Sequence, residues 1–385
     1  MIKVGLTTSV IQRGKTGIAQ WLFALTKALA AHREELDLTL FVLEEDRPLF
    51  DYAKDLFTIH PVPEACRNPI KDIAWHQRQL PKLAKQLSLD VIHTPSYRRL
   101  IATKVCPTVG TIHDLAPFRL AGKYDWKRML FGKYFVPYFA RRNTRITAVS
   151  QFTADDITRF FGIPQSQISV ILNGLDHNRF SPESKTENEA KLKEKYNIDA
   201  PIFLYIARIE HPGKNHLRLI RAFENMKKET GSPWKMVFGG SDWHGAEVIH
   251  EAIKTSPHRD DFRVTGFVPD EELADLYRLA DAFVFPSLFE GFGLPPVEAM
   301  ACGTPVISSP RGSLAEVIGD GSLVIEPEDE NSICSALQQV ATDSALRENL
   351  RQKGFTNAQR FRWDTAAKAT LSEYHRAIKE FSHGG

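Results

Sequence analysis

The sequence predicts an α/β protein built from two doubly wound domains that face a cleft. Three observations lead there. Short apolar runs alternate with segments of helical period, the pattern pauses near the middle and restarts, and 385 residues exceed what one ordinary core organises.

In the first half, Ile2–Thr8 alternates like a strand and runs into a glycine-containing loop, Arg13–Gly17. Ile18–Ala31 then carries Trp21, Leu22, Leu25 and Leu29 on one helical stripe. Leu38–Leu43, Asp90–Thr94, Pro107–Ile112 and Arg145–Val149 are further strand candidates between helical stretches. A turn signal stands at Asn173-Gly174, and Ser181–Tyr196, dense in Lys and Glu, reads as a linker. The expected domains are therefore 1–180 and 181–362. In the second, Ile202–Ala207, Lys235–Gly239, Phe262–Thr265, Ala282–Pro286, Pro305–Ser308 and Leu323–Ile325 read as buried strands. In such domains ligands sit outside the carboxyl ends of the strands.

Composition narrows the class. The hydrophobic share of 43% and charged share of 25% are those of a globular protein, and no apolar run reaches bilayer length. Met1–Leu6 reads as a first strand rather than a secretion signal. Cys66, Cys106, Cys302 and Cys334 are scattered, which argues against a disulfide framework or zinc site and for a cytoplasmic protein. Residues 1–180 hold 25 Lys and Arg against 16 Asp and Glu, a net +9, so the remainder is −7 within a total of +2. Either one side meets something anionic, or two solvated surfaces simply differ.

The densest chemical signal is Phe285–Met300. A strand ends at Pro286, a glycine loop follows, and Pro295-Pro296 suits a first helical turn. Amides of the loop and helix start form an anion site, with Gly291 and Gly293 leaving the backbone accessible. Glu290 and Glu298 flank it, and Glu298 leans back along its helix toward the same ligand. Carboxylates accept from hydroxyls, so the pair describes a sugar-phosphate. Alternatively, Glu290 caps the helix and Glu298 lies on the surface.

Glu290 to Glu298 matches an E-x(7)-E motif, and Glu-Gly-Phe-Gly-Leu-Pro…Glu-Ala-Met-Ala-Cys-Gly-Thr-Pro-Val continues it. The chain resembles retaining glycosyltransferases of family four, nearest to mannosyltransferase-like enzymes of bacterial polysaccharide synthesis. Weaker matches run along the chain at Ala148-Val149-Ser150 with Asp155, Asn173-Gly174-Leu175-Asp176, Gly266-Phe267-Val268 and Phe361-Arg362-Trp363. The resemblance implies the GT-B fold, two Rossmann-like domains, with the C-terminal helix 363–385 returned to the first. It implies that Glu290 contacts donor-sugar hydroxyls and Glu298 the ribose. Backbone from Gly291, Phe292, Gly293 and Leu294 would hold sugar and phosphate, and Gly266, Phe267 and Val268 would border the base.

Arg208 and Lys214 lie just beyond a predicted strand. Without a metal, fixed cations must stabilise a departing diphosphate, and the pair resembles the family's diphosphate-binding Arg and Lys at a spacing one residue longer than the commonest. Two solvated loop cations are the alternative. No Asp-x-Asp motif occurs, and Glu328-Asp329-Glu330 reads as solvated carboxylates, so neither metal nor cofactor is expected. Thr111-Ile112-His113-Asp114 resembles the family's His-Asp pair, with His113 donating to a sugar hydroxyl and Asp114 orienting its ring; a core histidine bonded to backbone is the alternative. Gly14 and Gly17 resemble the family's glycine loop, with Lys15 and Thr16 intervening. Gly14-Lys15-Thr16 is not a P-loop, because Ser9 stands where the first glycine belongs.

Arg119–Arg145 holds eight cations and one acid, Asp125, among aromatics including Trp126, Phe131, Tyr134 and Phe135. It reads either as a weak contact with an anionic membrane, peripheral on its inner face, or as a helical face with solvated cations; no nucleic-acid motif accompanies it. The expected function is retaining hexosyl transfer, from GDP-mannose before UDP-hexose, to a saccharide or lipid-linked saccharide. A nucleotide-sugar 2-epimerase or phosphorylase on the same fold, or a non-catalytic nucleotide-sugar binding protein, are the alternatives.

Overall fold

The computed structural model describes every residue except 15, 120–131, 133–134, 184–185 and 384–385. The chain divides into two compact units, Met1–Gly174 with Arg362–Gly385, and Leu175–Phe361.

Unit 1 is a parallel sheet of seven strands in the order β3-β2-β1-β4-β5-β6-β7. They are β1 (Ile2–Thr7), β2 (Leu36–Leu43), β3 (Thr58–Val62), β4 (Val91–Thr94), β5 (Thr108–Ile112), β6 (Arg145–Ala148) and β7 (Ile168–Val170). Val4 and Leu6 on one face of central β1, and Gly5 and Thr7 on the other, are buried, as a strand covered on both faces requires. The helix Gly17–Leu29 buries the Trp21, Leu22, Leu25 and Leu29 stripe, and Thr16 Oγ1 caps it by accepting from Ala19 N–H at 3.2 Å. Ala367, Leu371, Tyr374 and Ala377 of the C-terminal helix Trp363–His383 join the same core.

Unit 2 has six parallel strands in the order β10-β9-β8-β11-β12-β13. They are β8 (Ile202–Ile206), β9 (Lys235–Gly239), β10 (Phe262–Gly266), β11 (Ala282–Phe285), β12 (Val306–Ser308) and β13 (Ser322–Val324). Rings of Phe203, Phe238, Phe283 and Phe285 fill its core. Each sheet reverses strand order once, beside β1 and β4 in unit 1 and beside β8 and β11 in unit 2. Those reversals are where doubly wound folds bind ligands.

Two expectations need correction. The units divide before Leu175 rather than at 181, because Leu175 N–H donates to Phe361 O at 3.1 Å and Phe180 packs against the Tyr277 ring. Nor is 181–196 a plain linker. It contains the helix Thr186–Lys195, which lies on the helix Asp270–Leu279. Lys191, Lys193 and Glu194 are exposed, but Leu192 and Tyr196 are buried, and Tyr196 OH and Lys195 Nζ each donate to Glu272 at 2.7 Å. Two apolar anchors suffice to dock a charged helix.

Candidate active site

β11 ends in Phe285, and the chain turns through Pro286–Gly293 into the helix Leu294–Ala301. Gly293 holds the turn at φ +94°, and a Cβ there would lie 2.4 Å from Leu314 Cδ2. The turn is held from behind: Ser313 N–H and Oγ donate to Glu290 O at 3.1 and 3.0 Å, and Ser313 Oγ also reaches Phe292 O at 3.0 Å. Pro295 and Pro296 have no N–H, so donors at this helix start are limited to Leu294, Val297 and the loop.

The loop after β8 meets this turn. Leu288 N–H donates to Gly213 O at 3.1 Å, and Asn215 Nδ2 donates to Pro286 O and Pro327 O at 3.0 and 2.6 Å. Tyr205 OH, from inside β8, grips Lys214 O at 2.6 Å. With its backbone fixed, Lys214 places Nζ 2.6 Å from Glu290 Oε1, which also accepts from Ser287 Oγ at 2.6 Å. The Lys214 and Glu290 side chains are 18% and 16% exposed, so the pair is largely desolvated yet open to a ligand.

Glu298 is half-buried and accepts from Tyr277 OH at 2.8 Å. Burial pushes its carboxyl up to about 7, against the opposing pull of the Tyr277 bond and the Arg179 charge. The alternative of a capping Glu290 and a surface Glu298 is removed: the helix cap is Gly293, and both carboxylates have inward partners.

Arg208 follows β8 but does not join Lys214. Its Nη2 lies 3.2 Å from Glu210 Oε2, and its guanidinium stands 5.1 Å from the Trp243 ring centroid. At the end of β10, Gly266 adopts φ +69°, and no atom of the described residues lies within 4 Å of where a Cβ would stand. Phe267 is 69% exposed and Val268 is buried. From β10 to β11 the carboxyl edge spans about 14 Å, three strand spacings.

In unit 1, His113 follows β5 with its ring edge-on to Trp21 at 4.8 Å. Burial lowers it to about 4, so it is neutral near pH 7; it bonds the Pro95 backbone, while the buried Nε2 has no hydrogen-bond partner among the described residues. The expectation for Asp114 needs correction. Asp114 Oδ1 accepts from Ala116 N–H at 2.9 Å and caps the next turn, leaving Pro95 and Trp21 to set the imidazole. Gly14 (φ +80°) lies against Leu49 and Phe23, and Gly17 is the first residue of its helix.

Of the described cations in the basic stretch, Arg145 alone is buried and departs from both readings, while Arg119, Arg141 and Arg142 are exposed. Arg145 is 1% exposed and donates to Glu373 at 3.0 Å, Arg119 pairs with Asp156, Arg141 donates to Phe161 O, and Arg142 lies over Tyr138. Lys123, Lys127, Arg128 and Lys133 lie outside the described residues, as do Trp126, Phe131 and Tyr134. The Glu328-Asp329-Glu330 run also has partners: Arg311 bonds Glu328 at 2.7 Å, Asp329 caps its helix through Asn331 N–H, and Arg221 meets Glu330 at 3.1 Å. Among the described residues no group of three or more His, Cys, Asp and Glu could hold a metal ion. Nor, among them, is any helix long and apolar enough to cross a membrane.

Sequence reasoning missed Ser287, Tyr277, Ser313 and Trp243. Ser287 was legible as a hydroxyl three residues before Glu290; the others come from distant segments and left no local signal.

An open carboxyl edge with paired acidic and basic side chains at the strand reversal defines a doubly wound enzyme that handles a polar, anionic ligand. The match to Glycosyltransferase Family 4 over residues 15–179 and to Glycosyl transferases group 1 over 187–356 makes the class specific. The chain belongs to glycosyltransferase family four and is a transferase. The O-antigen chain mannosyltransferase B of Escherichia coli is 28% identical over 97% of this chain and 99% of its own. The O-antigen chain mannosyltransferase RfbU of Salmonella typhimurium is 27% identical over 85% and 88%. The fold is GT-B, shared with Anabaena Alr3699/HepE, solved with UDP and glucose, at a TM-score of 0.75 and 17% identity over 98% of this chain and all of that one.

Proposed function

We propose that the protein is a retaining, metal-independent mannosyltransferase that takes mannose from GDP-mannose and extends a saccharide or lipid-linked saccharide of a bacterial surface polysaccharide. The observation that carries it is the Lys214–Glu290–Ser287 cluster at the β8/β11 reversal, with Glu298 on the helix that follows. The mannosyltransferase names of the E. coli and Salmonella relatives support the sugar. A UDP-hexose is the second donor, favoured by the UDP and glucose in the Anabaena protein.

The donor base would lie against Gly266, Phe267 and Val268, the ribose on Glu298, the diphosphate toward Arg208 and Lys214, and the sugar on Glu290 and Gly291–Leu294. Gly14, Gly17, His113 and Asp114 belong to the acceptor-side unit. As the bond from anomeric carbon to phosphate oxygen breaks, its electron pair passes to the diphosphate, where Lys214 and Arg208 stabilise it. The acceptor oxygen bonds the same face of the sugar, and its proton goes to the leaving phosphate. Lys214 already bonds Glu290, so a bound donor shares that ammonium between carboxylate and phosphate. A 2-epimerase, a phosphorylase and a non-catalytic binder draw no support from any of these observations.

The stretch 118–145 would give weak, reversible contact with anionic membrane through Lys123, Lys127 and Arg128, each worth about 1 kcal/mol near the surface. Changing the three to Glu is expected to abolish sedimentation with anionic vesicles at low salt, and a wild type that ignores such vesicles overturns the contact.

The test of donor and metal use is GDP release from GDP-mannose against UDP release from UDP-glucose, both in EDTA. Turnover with GDP-mannose alone is expected. Turnover only with UDP-glucose assigns the second donor, and activity restored only by manganese overturns metal independence.

A further inference from the structure

Along the carboxyl edge of unit 2 the large ring of Trp243 is 59% exposed. A single exposed ring is ordinary; what sets this one apart is how it is held and what lies on it. Its backbone is fixed, because the loops after β8 and β9 go on pairing beyond the strand ends. Ile209 N–H donates to Ser241 O at 3.0 Å, Trp243 N–H to Ile209 O at 2.9 Å, and His211 N–H to His244 O at 3.1 Å. Ile209 and Asp242 form a parallel bridge over the buried Ile209 side chain. A Cβ on Gly240 would stand 1.9 Å from Ala207 O, so these loops lie backbone on backbone. A rigid ladder thus presents an indole to water.

Arg208 leans on that indole. Its guanidinium is 5.1 Å from the ring centroid, and Nη2 is 3.2 Å from the buried Glu210 carboxylate. An arginine side chain 52% exposed would otherwise sample many rotamers. A ring face beneath the guanidinium and a carboxylate at its edge reduce them to few.

We propose that Trp243 is a positioning residue that, with Glu210, holds Arg208 ready for the charge that grows on the departing diphosphate. The proposal rests on the reading of Arg208 as a diphosphate-stabilising cation. A preset cation favours the transition state more than the bound donor, so the effect belongs mainly to kcat.

The experiment measures kcat and KM for GDP-mannose in the wild type, Trp243→Ala, Trp243→Phe, Arg208→Ala and the Arg208→Ala/Trp243→Ala double variant. Trp243→Ala is expected to lower kcat about two- to fivefold with KM nearly unchanged. Trp243→Phe, which keeps a ring face, restores most of it. In the Arg208→Ala background, loss of Trp243 adds nothing, because the two act as one unit. A loss that persists there, a change confined to KM, or an unchanged or raised kcat in Trp243→Ala overturns the proposal. Wild-type kcat in Arg208→Ala instead overturns the reading of Arg208 beneath it.

Discussion

The two units share one architecture, a parallel sheet reversing beside its first strand, yet their carboxyl edges differ in chemistry. In unit 1, His113 is edge-on to an indole, pushed down to about 4 by burial, and His93 behind it is lower still, locked between Tyr374 OH at 2.8 Å and Thr111 Oγ1 at 2.7 Å. That edge carries neutral imidazoles. In unit 2 the carboxyl edge at the reversal, after β8 and β11, holds an ammonium on a carboxylate at 2.6 Å, and the helix that follows β11 carries a second carboxylate raised to about 7. The same fold hosts either surface, so function is read from the side chains at the strand ends rather than from topology.

The largest expected effect lies on the charged edge. Glu290→Ala should cut turnover by about 10²–10³, the usual cost of losing one preset polar contact to a transition state. Steady-state kinetics with GDP-mannose measures it, and an unimpaired variant would remove unit 2 as the reacting site. Lys214→Ala should lose at least about tenfold in kcat, since the diphosphate then leaves without its nearest cation. A purely structural Lys214 would instead lower the melting temperature and leave kcat intact.

Glu298 divides binding from stability. Glu298→Gln should weaken donor binding by about 1–3 kcal/mol, by calorimetry with GDP. Its pKa is raised on folding, so the folded state binds the extra proton and stability falls as pH climbs from about 4.5 through about 7. Donor affinity moves the opposite way, rising as the carboxylate ionises. Glu298→Gln should therefore flatten the pH dependence of affinity and stabilise the protein above pH 7, on the order of 1 kcal/mol or less given partial exposure.

The smallest effect tests the neutral edge. With His113 at about 4, replacing it should leave the shape of the pH–rate profile between pH 6 and 8 unchanged, even where the rate falls. An inflection lost with His113 would mean that unit 1 contributes a titrating group.

Much of this contrast was legible in the sequence because it is local. Eight residues separate the two carboxylates across a turn whose glycines and prolines announce a strand-to-helix corner, and central strands read as apolar runs because both faces are covered. The edge strands of unit 1 did not: β3 contains His60 and Pro61, and β7 has three residues. Arg145 was read as a surface cation because its partners, Glu373 and Glu380, lie far along the chain. Asp114 was read as a partner of its neighbour because adjacency in sequence says nothing of where a carboxylate turns. Trp243 had no local signal, since its meaning comes from the cation above it.

The central claim is that the charged edge of unit 2 performs sugar transfer with retention. Its most direct test is the anomeric configuration of the product, read by NMR after incubating wild type and Glu290→Gln with GDP-mannose and a mannose-terminated acceptor in EDTA. An α-linked product from the α-linked donor, formed by the wild type and strongly diminished in the variant, is the expected result. A β-linked product, or equal transfer by both proteins, would contradict it.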